Sequence, residues 1–434
     1  MIFPRGRLLF WVAMVGLPFG VLAGTLASTM VFSLGVISLL VLLVIVDALR
    51  AGAVLNGVRV HLKSRTRLAI GREGIVEIRM QNLSKHNREI RLALALPNDV
   101  FSGADEITTT LPPETEWSEV PWTCRPSRRG IFPLSEVFLE AGSPWGFWSV
   151  RRRQATQAEI RVYPNLKKDI LKMQMLFRGS NGGHAGRQIG KGREFEKLRD
   201  YVPGDCLADI HWKAAARRGR PITKVFQIER TQEVYVAVDT SRLSARADAM
   251  ETMVSTALLL GLAAEEQGDL FGLLSFSDQV ENFVRAGSGK AHYQACREAI
   301  FSVTPRAVNP DFNEIFSFLR LRLRRRALII FLTALDDPLL AESFLHNAGL
   351  VSRQHLLVTA MISPAGMAPL FQSPDVSKID EIYDRLSGHL RWSAMEELGG
   401  SLQRQGVRFL TTDSPSLMPQ IISEYLTVKQ RQLL

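Results

Sequence analysis

A chain of 434 residues with 46% hydrophobic and 22% charged side chains is long enough for two or three domains and too apolar to be disordered. Lys+Arg 53 against Asp+Glu 43 leaves a formal charge of +10, which favours an anionic neighbour, either a lipid surface or nucleic acid. The three cysteines, Cys124, Cys206 and Cys296, are far apart and form no CxxC pair; this excludes a disulfide framework or a cysteine-rich zinc site and predicts reduced thiols in the cytosol.

From Leu8 to Val46 the sequence contains no Asp, Glu, Lys, Arg or His. At about 20 residues per crossing, that run predicts two transmembrane helices, about 8–27 and 30–47, after a short N-terminus of residues 1–7. The break falls at Ala27-Ser28-Thr29, and Pro18 predicts a kink in the first helix, which membrane helices tolerate. A cleaved signal peptide would have a shorter apolar region followed by a small-residue cleavage site. Arg5 and Arg7 precede the first span, while Arg50, Arg59, Lys63, Arg65 and Arg67 follow the second. Positive charge on both outer flanks predicts a two-pass protein of the inner (cytoplasmic) membrane, with both termini and all soluble domains in the cytoplasm.

Residues 56–164 alternate with a period of two in VRVHL, IVEIRM, EIRLALAL and EIRVYP, separated by the turn-rich NLSKHN, LPPET and PSRRG. This predicts an antiparallel β-sandwich. Trp145, Phe147 and Trp148 in AGSPWGFWSV are expected to close one end of its core, and Arg151-Arg152-Arg153 to decorate a charged edge strand.

Residues 165–232 hold a glycine-rich loop and a dense signature. The loop, Arg178–Gly192, is not a P-loop, because Lys191 is followed by Gly192 and Ala185 stands where the motif needs its first glycine; it is expected to be mobile, with His184 in solvent. The signature, GREFEKLRDYVPGDCLADIHWKAAARRGRPITKVFQIER, presents Glu194, Phe195, Arg199, Asp200, Tyr201, Pro203, Gly204, Asp205, Asp209, Trp212 and Arg217. Pro-Gly-Asp is turn chemistry, and Arg199, Arg217, Asp200, Asp205 and Asp209 supply opposite charges close in sequence, so the segment is expected to be a structural lock or a partner-binding element. The alternative is an enzyme acting at the cell envelope with Asp205, Asp209 and His211, although these do not form a helical ligand face. The signature resembles the domain of unknown function 58 family, whose pattern of "LR-D/E-Y-x-P-G-D", then "I-x-W" and "A-R", occurs here in order. RRGIFPL, SPWGFW and RVYP upstream fit the same family.

From residue 233 to 434 the apolar runs VYVAV, LFGLLSF, ALIIFL, HLLVTAMI and VRFL are separated by helix-length segments. Continuous apolar strands alternating with helices predict a doubly wound, mostly parallel α/β sheet covered on both faces, with its binding crevice beyond the strand carboxyl ends. Asp239-Thr240-Ser241, Ser275, Ser277, Asp278, Thr333, Asp336 and Asp337 all fall there. That layout resembles a von Willebrand factor type A domain. The resemblance implies a degenerate Mg²⁺ site of Asp239, Ser241, Asp311 and Asp336, in which Leu243 stands where a serine ligand is expected. The alternative role for Asp239 is a cap on the next helix. The run Arg320–Arg326 reads as a cation-rich helix end, and without aromatic stacking or a recognised motif it gives no reason to expect nucleic acid.

Together these readings predict a bacterial-type membrane-anchored scaffold or adaptor without catalytic residues, in contact with inner-membrane lipid. Its expected partner-binding face surrounds Asp239, Ser241 and Asp336. The family resemblance implies a MoxR-type AAA+ ATPase as the partner, in assembly or activation of other proteins.

Overall fold

The uncharged N-terminal run forms two helices, each long and apolar enough to cross a membrane: Gly6–Thr25 (20 residues) and Met30–Ala51 (22 residues). The first is not uniform. Between α-helical Gly6–Trp11 and Leu17–Thr25 it widens into a π-turn at Val12–Gly16, directly ahead of Pro18, whose ring and missing N–H disturb the regular ladder. The computed structural model describes residues 1–25, 27–84, 86–113, 115–180, 189–227, 231–246, 249–370 and 379–431; His184 and most of the glycine-rich loop lie outside them. Two units emerge, Met1–Asn165 and Leu166–Leu434.

In the first unit, two sheets face each other across a core that includes Ile78, Met80, Ile90, Leu92, Trp122, Leu139 and Ile160. One sheet runs in the order Val58–Leu62, Gly74–Asn82, Thr115–Pro126, Val100–Ser102. The other runs Ile2–Pro4, Trp148–Tyr163, Gly130–Gly142, Arg88–Leu94, Ile107–Leu111. Alternation does the sorting: Val58, Val60 and Leu62 are buried while Arg59 and His61 face water. Among the described strands of this unit, one pairing departs from the antiparallel expectation, Arg65–Ala69 lying parallel to Glu159–Tyr163.

The extreme N-terminus joins this unit's second sheet. Ile2–Pro4 is not a free tail but a strand, paired with Trp148–Val150. Three residues carry too little pattern to be read as a strand from sequence.

The loop SPWGFW is held from an unexpected side. Asp47, fully buried near the end of the second apolar helix, accepts hydrogen bonds from the Ser143 hydroxyl and from the N–H groups of Trp145 (3.1 Å) and Phe147 (3.2 Å). Trp148 donates its indole N–H to the Val44 carbonyl at 3.0 Å. Trp148 packs on the sandwich core as expected. Trp145 does not; it is 40% exposed and lies under the Arg50 guanidinium.

The second unit is built on a six-stranded sheet: Glu233–Asp239 first, Leu270–Phe276 second, Val280–Gly287 third, Ala327–Leu332 fourth, Leu356–Ile362 fifth and Val407–Thr412 sixth. Their spatial order is 3-2-1-4-5-6, all parallel except the third. Successive residues of the first strand enter opposite cores. Val234, Val236 and Val238 pack with Ala249–Glu266 and Ser414–Gln430, while Tyr235 and Ala237 pack with Phe312–Arg322 and Pro338–Val351. Burial on both faces explains why these strands read as unbroken apolar runs; each fully buried Leu or Ile contributes roughly 1.5–3 kcal/mol. Gly272 is required beneath the Tyr235 ring, since a Cβ there would collide with it.

The helix Lys167–Ser180, within residues 165–232, belongs to this unit. Its Met173 and Phe177 are part of the core beside Val236. It begins three residues after Pro164 and runs into the glycine-rich stretch, which hid it.

Candidate functional site at the carboxyl end of the parallel sheet

The order 3-2-1-4-5-6 reverses direction between the first and fourth strands, the place where open α/β sheets form a crevice. Asp239 ends the first strand there with 0% exposure. One carboxylate oxygen accepts the Ser241 N–H at 2.8 Å and the other the Thr333 hydroxyl, from just beyond the fourth strand. Burial pushes the Asp239 carboxyl above its usual pKa, against the opposing pull of Thr333 and Ser241. Thr240 donates both its N–H and its hydroxyl to the Phe276 carbonyl at 2.7 Å, stitching the first strand end to the second.

Ser241, not Asp239, is the local cap. Its hydroxyl accepts the Leu243 N–H at 3.3 Å and opens the short 3₁₀ turn Arg242–Ala245. Ser244 turns back to donate to the Ser241 carbonyl at 2.8 Å.

Around this buried acid stands a rim of arginines paired with carboxylates. Arg306 donates its backbone N–H to the Thr240 carbonyl (2.7 Å), and its guanidinium reaches Ser277 (3.1 Å), Asp278 (3.2 Å) and Glu281 (3.2 Å). Arg242 bonds Asn309 and, at 3.0 Å, Asp337. Arg246 pairs with Asp336. The Ser277 hydroxyl, with smaller help from Arg306, lowers the Asp278 pKa. These arginines were missed in the sequence because no spacing rule joins Arg306 to a loop more than sixty residues away (roughly); Arg242 and Arg246, flanking the Asp239 loop, were the available signal.

Of the residues implied as Mg²⁺ ligands, Asp239 and Ser241 are brought together, whereas Asp311 and Asp336 are engaged elsewhere. Asp311 caps the helix Phe312–Arg322, accepting from the N–H groups of Asn313 (3.0 Å) and Glu314 (3.2 Å). Asp336 faces Arg246, and Asp337 caps Pro338–Val351. One oxygen of Asp336 is buried with no hydrogen-bond partner, but hard cations need several converging oxygens. Among the described residues no group of three or more His, Cys, Asp or Glu could hold a metal ion.

The signature forms a hairpin arm. Arg199 grips Asp205 at 2.6 Å, and Asp205 also accepts the Val202 N–H (3.0 Å) and the Thr223 hydroxyl (3.4 Å). Arg199 beside it is the main reason the Asp205 carboxyl titrates below its usual value. Gly204 takes φ 110° in the turn after Pro203, Tyr201 donates its N–H to the Pro221 carbonyl, and Asp200 pairs with Arg220 at 3.1 Å. The His211 ring accepts the Ala214 N–H at 3.0 Å, capping Trp212–Arg218. Asp209 lies in the 3₁₀ turn Leu207–Asp209. Thus Asp205 and His211 both hold backbone. Arg217 is exposed and makes no ion pair among the described residues. Glu194 and Phe195 lie in the strand Ile189–Asp200; their side chains are outside what is described. Val202 (54%), Leu207 (67%) and Trp212 (70%) expose their apolar side chains.

Residues 197–368 match the family model described as "Protein of unknown function DUF58". The uncharacterized protein YeaD of Bacillus subtilis (strain 168) is 31% identical over 97 residues, 22% of this chain and 23% of that protein, so the match spans under a quarter of that relative. Among solved structures, the SpRpn10 VWA domain is similar over 45% of this chain and 95% of its own (TM-score 0.27, 8% identity). The conserved hypothetical protein BatB from Bacteroides thetaiotaomicron is similar over 46% and 99% (TM-score 0.30, 14% identity). The signature's Arg199–Trp212 segment and the first five strands of the sheet lie within the residues that match this family model, as the signature's resemblance implied.

Proposed function

We propose that this chain is a membrane-anchored adaptor that binds a protein partner at the carboxyl-end rim of its parallel sheet. The observation that carries this reading is the rim itself: Arg242, Arg246 and Arg306 stand half-exposed in ion pairs with Asp337, Asp336, Asp278 and Glu281. Such pairs contribute little to stability, about 0–1 kcal/mol each, but they form a charge pattern that a complementary surface can read. The buried Asp239 beneath them acts by shaping the loop.

The pairing of Ile2–Pro4 with Trp148–Val150 supports a two-pass anchor. The chain before the first apolar helix and the sandwich after the second then lie on one side of the bilayer, and the flanking arginines favour the cytoplasmic side of the inner membrane. A MoxR-type AAA+ ATPase is the partner that the family resemblance implies. The test is affinity capture of detergent-extracted full-length chain beside a variant carrying Arg242→Glu, Arg246→Glu and Arg306→Glu, with quantitative mass spectrometry. A partner depleted at least about tenfold in the variant, the size of one lost charge-assisted contact, is expected. Equal recovery with both chains would remove the rim from the proposal.

A further inference from the structure

A cavity of about 380 Å³ opens in the first unit between the sandwich and the base of the apolar hairpin, lined by Arg5, Val54, His86, Arg88, Arg91 and Glu140 among others. Arg5 lies one residue before Gly6–Thr25 and Val54 three after Met30–Ala51, so the cavity stands where both apolar helices end.

Its charges are unevenly satisfied. Glu140 is held by the Ser149 hydroxyl (2.6 Å) and Arg151 (2.6 Å), and Arg91 pairs with Glu106 at 3.3 Å. Glu89 is at the exposed rim. Arg5 and Arg88 have no carboxylate partner among the described residues. Arg5 rests its guanidinium on Gly142, where a Cβ would collide with it. Arg88 donates its Nε–H to the Ser84 hydroxyl at 2.8 Å, but its Nη1 is buried with no hydrogen-bond partner. Partial burial lowers the Arg88 pKa from its ordinary value, and an anion beside the buried Nη1 would offset that cost. A buried donor left without an acceptor costs about 1–3 kcal/mol, more when charged, and such groups call for a ligand or another specific cause.

We propose that this cavity is a phosphate-binding site formed by Arg5 and Arg88, and that its phosphate comes from the headgroup of an anionic phospholipid in the anchoring bilayer. Guanidinium groups match phosphate oxygens in pairs. A basic pocket beside the end of a membrane helix is where a headgroup can enter without leaving its leaflet. The source of the phosphate rests on the membrane-anchor reading above; the phosphate chemistry does not. A bound headgroup would also tie the sandwich to the lipid at the point where Asp47 already ties it to the helix.

The test uses full-length chain in nanodiscs of phosphatidylcholine with phosphatidylglycerol, examined by native mass spectrometry, with inorganic phosphate titrated calorimetrically into lipid-stripped protein in detergent as a second arm. Wild type is expected to retain phosphatidylglycerol over phosphatidylcholine, and Arg88→Gln and Arg5→Gln each to lower that preference about tenfold, the loss of one charge-assisted bond. Arg79→Gln, at the distant Glu119 pair, is the control that keeps it. Near-ultraviolet circular dichroism checks that each variant is folded, and Arg88→Lys, which keeps the charge, is expected to recover part of the preference. Saturable phosphate binding that depends on Arg5 and Arg88, without lipid preference, would retain the site and overturn its lipid source. Absence of both, or equal binding by wild type and both Gln variants, would overturn the proposal. Failure of the chain to co-elute with the disc would instead overturn the anchor.

Discussion

The two ends of the parallel sheet bury an aspartate each and treat it differently. At the amino end, Asp269 precedes the second strand and is neutralised by Lys429 at 2.8 Å, with the Tyr425 hydroxyl and the Gln232 N–H (3.1 Å) filling its remaining lone pairs. Burial and that neighbouring carboxylate push the Tyr425 pKa upward. This cluster fastens the last helix, Ser414–Gln430, to the sheet. At the carboxyl end, Asp239 has hydroxyl and amide donors and no Lys or Arg partner among the described residues, while the arginines pair with the partly exposed Asp336 and Asp337 and the exposed Asp278. One end has the chemistry of a lock, with charge cancelled inside; the other keeps its charges at the surface, where a partner can reach them.

The largest effect is expected at the lock. Asp269→Ala leaves Lys429, Tyr425 and an amide without their acceptor, and should lower the stability of the full-length chain by about 3 kcal/mol, measured by urea unfolding. Loss of under about 1 kcal/mol would show that the two ends are alike.

Next comes Asp239. Replacement by Ala removes the acceptor for Thr333 and Ser241 and should cost about 2 kcal/mol, while Asn, which keeps an acceptor without charge, should cost less. The pH dependence sharpens this. Because the folded pKa is raised, the protonated acid is favoured in the fold. That contribution is full below the unfolded value near 3.9 and lost as pH rises through the folded one. The stability of Asp239→Asn relative to wild type should therefore grow across that window, and a constant difference in urea midpoints would contradict the assignment.

At the rim, Arg246→Gln is expected to change stability by about 0.5 kcal/mol or less while weakening partner binding. A large loss of stability would move the rim into the same class as Asp269. The smallest change is local. Asp205 has a lowered pKa beside Arg199, so its contribution is present above the unfolded carboxylate value and fades as pH falls through the folded one. Protection of the Val202 amide from hydrogen exchange, relative to its intrinsic rate at each pH, should fall below about pH 4, and in Asp205→Asn it should no longer change with pH across that range.

The sequence exposed these regions unequally. The apolar strands of the α/β unit and the two N-terminal helices were legible because burial on both faces, or the length and apolarity that a membrane crossing needs, leaves continuous hydrophobic runs. Asp239 and Ser241 could be placed at a strand end, and Arg199 with Asp205 in a local pair, since each lies within a few residues of its partner. Arg306 facing Ser277, Lys429 facing Asp269 and Ser143 facing Asp47 could not be seen, because those contacts are made by topology and leave no spacing in the chain. Asp311 and Asp336 were drawn into a ligand set by resemblance; each has a nearer partner, a helix N-terminus or an arginine. Cys124 and Cys296 are buried free thiols whose pKa is pushed up to about 11, which makes them inert packing residues at neutral pH.

The measurement that bears most directly on the adaptor is the affinity of detergent-solubilised full-length chain for a purified MoxR-type AAA+ ATPase, compared between wild type, Arg246→Glu at the rim and Arg408→Glu at the sixth strand's amino end. The account predicts binding weakened about tenfold by the first and unchanged by the second. Equal affinity for all three chains, or loss only with Arg408→Glu, would contradict it.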